Sequence, residues 1–412
     1  MPDERNRLVK INKVPVRQNS HAVFFHLLLP EFAILFQAIR ILAPPDDGLA
    51  RFSQRIGGFT KTRVVKNNNV SPVLPVLPLG HPLKKAVINI LIQIAREYKN
   101  TGAQWLGGRI LDFVGVWGPN MVFDILWYDA SVPEKAPVQA LSRHFKGSGM
   151  VMARQSWKDD AVKAAFRAVP YYMGGHGHLD QCSFAIFYKE GLALDSGVYD
   201  EFWSSHHLNY YSRSIAHNAI LVTDPDEVFK LYGDTHAADG GQYWLDPQRV
   251  PHPFPEVITD LTNDDSFNLG GVKLYEDTDL YTYAVGDGTL SYNPAKVAAY
   301  YRHFLWLKSL SGWTQPVVMV FDEVEATKST FKKTYLLHTT NKPAVSGTLV
   351  SAASGAGLLY QRTVFPQSPA ITLVGGAGRE YWVKDQNYPP SRSPKAGEEA
   401  GAWRVEVSPT AS

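Results

Sequence analysis

The sequence predicts an α+β chain of more than one domain, with a mainly α-helical region over 1–132 followed by an antiparallel β-sandwich over 133–412. Three observations predict it. Between Pro82 and Tyr98, the residues Ala86, Ile88, Ile90, Leu91, Ile94 and Ala95 recur at helical spacing, with Lys84, Lys85, Arg96 and Glu97 between them. After a proline-marked linker at Pro133–Pro137, Gly147-Ser148-Gly149 reads as a turn and Met150–Arg154 alternates like a strand. From there onward, short β-branched and aromatic runs alternate with turn residues: Asp279–Val285, Val297–Leu307, Pro316–Val324, Lys333–His338 and Ala370–Val374. Such regular short runs argue for antiparallel sheets packed face to face.

Composition narrows the class. The 412 residues suffice for two or three domains, and 45% hydrophobic with 19% charged residues is the balance of an ordinary globular protein. A net charge of +2 gives no global attraction to nucleic acid, so a polyanionic ligand needs a local basic cleft. The single cysteine, Cys182, excludes an internal disulfide framework and reads as a small buried apolar residue. The 20 Tyr, 20 Phe and 10 Trp suit β-sheet cores and sugar-stacking clefts alike.

In chain order, residues 1–20 are polar and basic. His21–Leu42 is strongly apolar but interrupted by Pro30, Glu31, Gln37 and Arg40. A membrane span wants about 20 nearly unbroken apolar residues, so stable insertion is not expected and the run reads as buried helix split at Pro30. As a secretion signal it starts late and lacks a small-residue cleavage site. Residues 43–83 carry loop punctuation. Gly102, Gly107 and Gly108 read as helix breakers, with a further helix over Arg109–Trp127 interrupted at Gly118-Pro119.

The chemistry concentrates in Tyr171–Val222. His176, His178 and Asp180 alternate, which places them on one face of an extended chain. Ser183–Tyr188, a turn at Lys189-Glu190-Gly191 and Leu192–Leu194 form a hairpin pattern ending in Asp195-Ser196-Gly197, and a third apolar run, Ala219–Val222, follows His217-Asn218. His178, Asp195 and His217 therefore each lie near the end of a strand. Two imidazoles and a carboxylate are a zinc donor set, or equally a buried hydrogen-bonded network. Tyr211 and Arg213 share a face of an extended segment and Tyr210 takes the other, while His206-His207 reads as exposed loop. His338 reads as a satisfied core histidine, and Gly375–Gly378 as a β-turn.

The run GHGHLDQCSFAIFYKEGLALDSGVYD, the following HHLNYYSRSIAHNAILV, and the later GGQ, YLLH, GGAGREYWV and WRVEV resemble the heparinase II/III-like polysaccharide lyases. The resemblance covers roughly 120–412 and is specific in 150–225. It implies a partial α/α toroid before antiparallel β-sheets, cleavage of uronic-acid-containing glycans (glycosaminoglycan or alginate type) by β-elimination, and a periplasmic or secreted location. It implies zinc held by His178, Asp195 and His217, and a substrate-facing role for His176. The family's proton-transferring Tyr and its partner come largely from the toroid, and residues 1–120 offer no match to them.

β-Elimination removes the proton beside a uronate carboxylate, so it needs groups that neutralise that carboxylate, a base, and an acid for the departing glycosidic oxygen. His176 and Tyr211 are the catalytic candidates. Arg154, Tyr210, Arg213 and His206 are the substrate-binding candidates. The expected partner is an acidic polysaccharide or oligosaccharide. A competing hydrolase reading of His-Gly-His-Leu-Asp at 176–180 requires histidine at 181, where Gln181 stands, and a following helix, where a strand pattern follows. A glycan-binding β-sandwich without cleavage is the third class.

Overall fold

The computed structural model describes residues 21–28, 82–114, 126–136, 140–158, 160–171, 177–231, 234–243, 267–308, 315–395, 398 and 400–410. Strand β1, His21–Leu28, pairs antiparallel with two later strands along its length. This corrects the helical reading of the run that starts at His21. Val23, Phe24 and Phe25 favour extended backbone, and neighbours on both sides complete its ladder; residues 29–42 lie outside the described set.

Helix α1, Pro82–Tyr98, occupies the residues its periodicity predicts, and α2 follows at Thr101–Val114. Asn100 between them accepts a hydrogen bond from the Ala103 amide at 2.9 Å, a cap on the start of α2. Leu91, Ile94 and Ala95 of α1 are buried against Ala103 and Leu106 of α2. The glycines expected to break α2 instead allow close approach. A Cβ on Gly108 would stand 2.7 Å from the Glu134 carboxylate. The rest of the expected Arg109–Trp127 helix, and any fuller toroid, falls largely outside the described residues.

The remainder is β-structure. Strands β2 (Ser142–Phe145), β3 (Met150–Arg154), β4 (Lys163–Arg167), β5 (Ser183–Tyr188) and β6 (Glu190–Ala193) form a five-stranded antiparallel sheet in sequence order. Strand β7 (Ile220–Thr223) leads to a small hairpin of β8 (Phe229–Leu231) and β9 (Asp234–His236). A meander of β10 (Gly271–Asp277), β11 (Tyr281–Asp287), β12 (Val297–Leu307) and β13 (Val317–Ala326) follows. Strand β14 (Lys332–Thr339) precedes β15 (Ala344–Ser346), β16 (Leu349–Ser354) and β17 (Gly357–Phe365). The chain continues through β18 (Pro369–Gly375), the short pair β19 (Trp382–Val383) and β20 (Gln386–Asn387), and β21 (Trp403–Pro409). The order β10-β11-β12-β13-β1-β17-β16-β15 makes an eight-stranded sheet, and β18-β21-β14-β7 a four-stranded one. Three glycines with positive φ, Gly375, Gly376 and Gly378, make the turn after β18.

One core joins the three sheets. Phe166, Phe184 and Ile186 from the five-stranded sheet, Phe304, Trp306 and Val320 from the eight-stranded sheet, and Tyr335, Leu337 and Val405 from the four-stranded sheet belong to one buried cluster. In β12 and β13 the buried positions alternate, as a strand with one inward face requires. Two of the inward positions are charged: Arg302 and Asp322 stand opposite each other in register, both fully buried. Their bidentate contacts measure 2.7 and 2.9 Å. The remaining guanidinium nitrogen donates to the carbonyls of Cys182 at 2.8 Å and Asn218 at 2.5 Å. Asn218 donates in turn to the carbonyls of Phe184 and Leu194, and accepts from the His338 amide at 2.7 Å. These two residues tie β5, β6, β12, β13 and β14 around the segment that carries His217.

Breaking a buried pair on one side strands the other charge, a cost of about 3–5 kcal/mol. Asp322→Ala is therefore expected to lose about that much stability in urea unfolding. The apolar double variant Arg302→Met/Asp322→Leu is expected to remain destabilised, because the Cys182 and Asn218 carbonyls lose their donor at about 1–3 kcal/mol each.

Candidate functional site

His178, Asp195 and His217 meet where the five- and four-stranded sheets adjoin. Lys189, with φ of 62°, makes the tight turn that returns β5 into β6, and β6 delivers Asp195 just past its end. The Ser196 amide then donates to the Ala216 carbonyl at 2.7 Å, fixing the Asp195 segment against that of His217. His178 arrives from the loop before β5, where the Leu179 amide donates to the Ser212 carbonyl at 2.8 Å.

His217 is fully buried, and its Nδ1 lies 3.0 Å from Asp195 Oδ1. The His178 ring centre is 5.2 Å from that of His217. Nδ1 of His217 and the Asp195 carboxylate thus stand at the distance of a charge-assisted hydrogen bond, while His217 Nε2 has no partner. Two imidazoles and a carboxylate are donor types that zinc takes, but among the described residues no group of three or more His, Cys, Asp or Glu side chains is arranged to hold a metal ion.

Electrostatics separate the two imidazoles. Burial, reinforced by nearby His217, pushes the His178 pKa down to about 3, so the ring is neutral at physiological pH. Burial also opposes charge on His217, but the adjacent Asp195 carboxylate outweighs it and raises its pKa. Burial would raise Asp195 in turn, and the charge on His217 prevails, lowering it. His338 is buried on β14 beside this group; burial holds it well below the usual histidine value, with Arg404 acting in the same direction. A hydrogen bond with the Ile215 backbone works against that shift, and His338 is a buried core histidine.

The segment after Asp195 departs from expectation. His207–Tyr211 is a single π-helical turn, not extended chain, so Tyr211 and Arg213 do not share a strand face. π-Turns of this kind recur at functional sites. This one aims Tyr211 at the metal-ligand candidates, with its ring centre 5.5 Å from that of His178 and 5.3 Å from that of His206. Burial raises the Tyr211 phenol, with Tyr199 and Asp200 adding to the shift.

All four predicted substrate-binding residues turn inward. Arg213 is fully buried, ion-paired with Asp239 at 2.9 Å and stacked 3.4 Å over the Phe229 ring. Tyr210 is fully buried, its hydroxyl 2.9 Å from Ser196 Oγ. His206 is buried, not exposed; its Nδ1 sits 2.5 Å from the Tyr388 carbonyl and its Nε2 accepts from the Val198 amide at 3.3 Å. In each case the polar group found a protein partner first. Arg154 is nearly buried too, donating to the Ser156 carbonyl at 2.8 Å and lying 4.0 Å over Trp157. His176 lies outside the described residues.

Sequence reasoning missed the frame around the trio. The Gln242 side chain accepts from the Gln181 amide and donates to the Gln181 carbonyl, and the Gln181 side chain donates to the Val169 and Leu269 carbonyls, all at 2.9 Å. Gln181 is thus a buried structural residue. Arg167 and Asp180 pair at 2.8 Å beside His178. The only sequence trace of this frame is a set of polar residues inside apolar runs.

An antiparallel β-domain with a His-Asp-His group at its strand ends is the class that fold and site define. Residues 137–267 match the sequence profile described as heparinase II/III-like, C-terminal, and so carry a domain of that kind. No curated protein matches the sequence. Among solved structures, a heparinase III gene product aligns at 14% identity over 79% of this chain and 39% of its own, with a TM-score of 0.46. A heparan sulfate lyase from Pedobacter heparinus aligns at 13% identity over 80% of this chain and 40% of its own, with a TM-score of 0.47. The chain thus spans about two-fifths of the length of these structures.

The depressed histidines set a pH dependence. A histidine whose folded pKa lies below the unfolded value of about 6.5 contributes stability that is fully present above 6.5 and lost as pH falls toward the folded value. His178 and His338 act in this sense, and His217, raised, acts in the opposite one. Metal-free protein is expected to lose urea stability between pH 7 and 5. His338→Leu is expected to flatten that slope by up to about 1.4 kcal/mol per pH unit.

Proposed function

We propose that this chain acts as a polysaccharide lyase that cleaves uronic-acid-containing glycans by β-elimination. The observation that carries the reading is the convergence of His178, Asp195 and His217 with Tyr211 edge-on beside them, inside a heparinase II/III-like domain.

His178, Asp195 and His217 would hold zinc, which when bound supplies fixed positive charge and a tether between the loop before β5 and the segment before β7. The remaining chemistry belongs to the chain. A phenol is protonated at neutral pH, and burial keeps Tyr211 so, which leaves it a proton to give to the departing glycosidic oxygen once substrate fills the site. His176, two residues before His178, takes the role its position in the motif implies: it faces the uronate carboxylate and helps to neutralise it. The rigid backing of Tyr210, His206 and Tyr381 behind Tyr211 holds that phenol in place. The substrate is an acidic polysaccharide, and a periplasmic or secreted setting suits it. Among the described residues no helix is long and apolar enough to cross a membrane.

A second reading, glycan binding without cleavage, draws support from the inward burial of Arg213, Tyr210 and His206, which leaves few groups of this chain free to hold substrate.

Ultraviolet absorbance of the unsaturated uronate product, followed over a panel of uronic-acid glycans, separates the two. Cleavage supports the lyase, and binding without any absorbance change on every glycan supports the alternative. In active protein, His176→Ala is expected to slow turnover about 10²–10³-fold while retaining fold and metal. Tyr211→Phe is expected to slow it about 10²–10⁴-fold. His178→Ala is expected to lose stoichiometric zinc and lower Tm; metal analysis that finds no zinc in the native protein rejects the zinc assignment.

A further inference from the structure

A cavity of about 920 Å³ opens where the free edge of the five-stranded sheet meets the free edge of the eight-stranded sheet, and none of the residues discussed above for zinc or proton transfer lines it. Its walls are β2 and β10. The two edges touch through Tyr275, whose hydroxyl donates to Ser142 Oγ at 3.2 Å and whose ring lies 5.6 Å from that of His144.

The lining is basic. Arg143, Lys146 and Lys273 surround the His144–Tyr275 pair. Lys273 is half exposed and only loosely associated with Asp287, at 3.4 Å. Arg143 and Lys146 are exposed, and neither has a carboxylate partner among the described residues. The one acidic group of the lining, Asp277, is already neutralised by Lys308 at 2.8 Å and bonded by Thr282 at 2.7 Å. Gly270 and Gly271, both at positive φ, close the inner end by packing against Asp287 and Pro170.

We infer that this groove between β2 and β10 is a second binding site for an acidic glycan chain, separate from the His178 centre. Charged side chains on edge strands also deter edge-to-edge pairing, but that role asks for no cavity and no aromatic pair at its floor. Exposed Arg143 and Lys146, converging with the loosely paired Lys273 on a concave surface, ask for anions. The aromatic floor and the hydroxyl groups beside it suit a sugar ring with free hydroxyls better than a bare phosphate backbone. The volume is that of an ordinary ligand site. Strands β2 and β6 are opposite edges of one five-stranded sheet, so the groove lies four strand spacings, roughly 19 Å, from the end of β6 that delivers Asp195. A polymer held in the groove would thus be tethered beside the other site without occupying it. The inference takes its ligand class from the groove's own lining and holds whether or not the chain cleaves what it binds.

The test is calorimetric binding to the full chain at two salt concentrations, with an alginate oligosaccharide, a neutral dextran oligosaccharide and a single-stranded oligothymidylate as probes. Arg143→Ala/Lys146→Ala is compared with Lys328→Ala, an exposed lysine elsewhere, and with His178→Ala. The expected result is alginate binding that weakens with salt, falls at least about tenfold in the Arg143→Ala/Lys146→Ala variant, and persists in Lys328→Ala and His178→Ala. Unchanged alginate affinity in the double variant overturns the site. Equal binding of dextran overturns the role of charge, and tighter binding of oligothymidylate overturns the glycan assignment in favour of nucleic acid. Loss of binding in His178→Ala alone means the glycan sits at the other site. Absence of lyase activity fails the cleavage reading and leaves this result standing.

Discussion

Asn218 and the buried Arg302–Asp322 pair hold the candidate site in register. A guanidinium inside a β-core is costly unless every donor is used. Here its fork matches the Asp322 carboxylate and its remaining nitrogen reaches two loop carbonyls, one of them on Asn218. Asn218 spends both ends of its amide on β5, the end of β6 and β14. Since His217 is its chain neighbour and Asp195 follows Leu194, the placement of those two side chains is settled by backbone hydrogen bonds rather than by their own contacts. This leaves His217 with Nδ1 against Asp195 and Nε2 without a partner.

The strand pattern is legible where one-sided burial writes a period of two into the sequence, as in β12, and where short apolar runs lie between turn residues, as in β3 and β5, which are buried on both faces; α1 matches its 3.6-residue period to the ends. The His-Asp-His grouping was legible too, since each member follows or precedes a strand. What failed was local reading where tertiary contacts decide. β1 is apolar enough for helix or strand, and the gap between β13 and β17 made the choice. The glycines of α2 looked like breakers because their neighbour, Glu134, is distant in sequence. Arg213, Tyr210 and His206 were read as substrate contacts from their chemistry, yet burial depends on Asp239, Ser196 and Tyr388, none of which the local sequence announces as partners.

The same contrast separates the two sites. Around His178 the polar groups are buried and closely packed, an arrangement suited to fixing one geometry. Around Tyr275 they are exposed, cationic and loosely held, an arrangement suited to holding a chain that slides.

The π-turn at His207–Tyr211 carries one residue more than an α-helical path would need. In a regular helix each residue advances the side chain by about 100°, so the surplus residue rotates everything after it by that angle relative to what precedes it. Tyr211 points at His178 because of this offset. An α-helical relative with one residue deleted here would retain nearly the same composition and the same buried neighbours, yet would swing the phenol to a different side of the turn. Sequence length across Ser205–Ser212, more than identity within it, is therefore the quantity that lineage divergence can change to gain or lose the alignment of that ring.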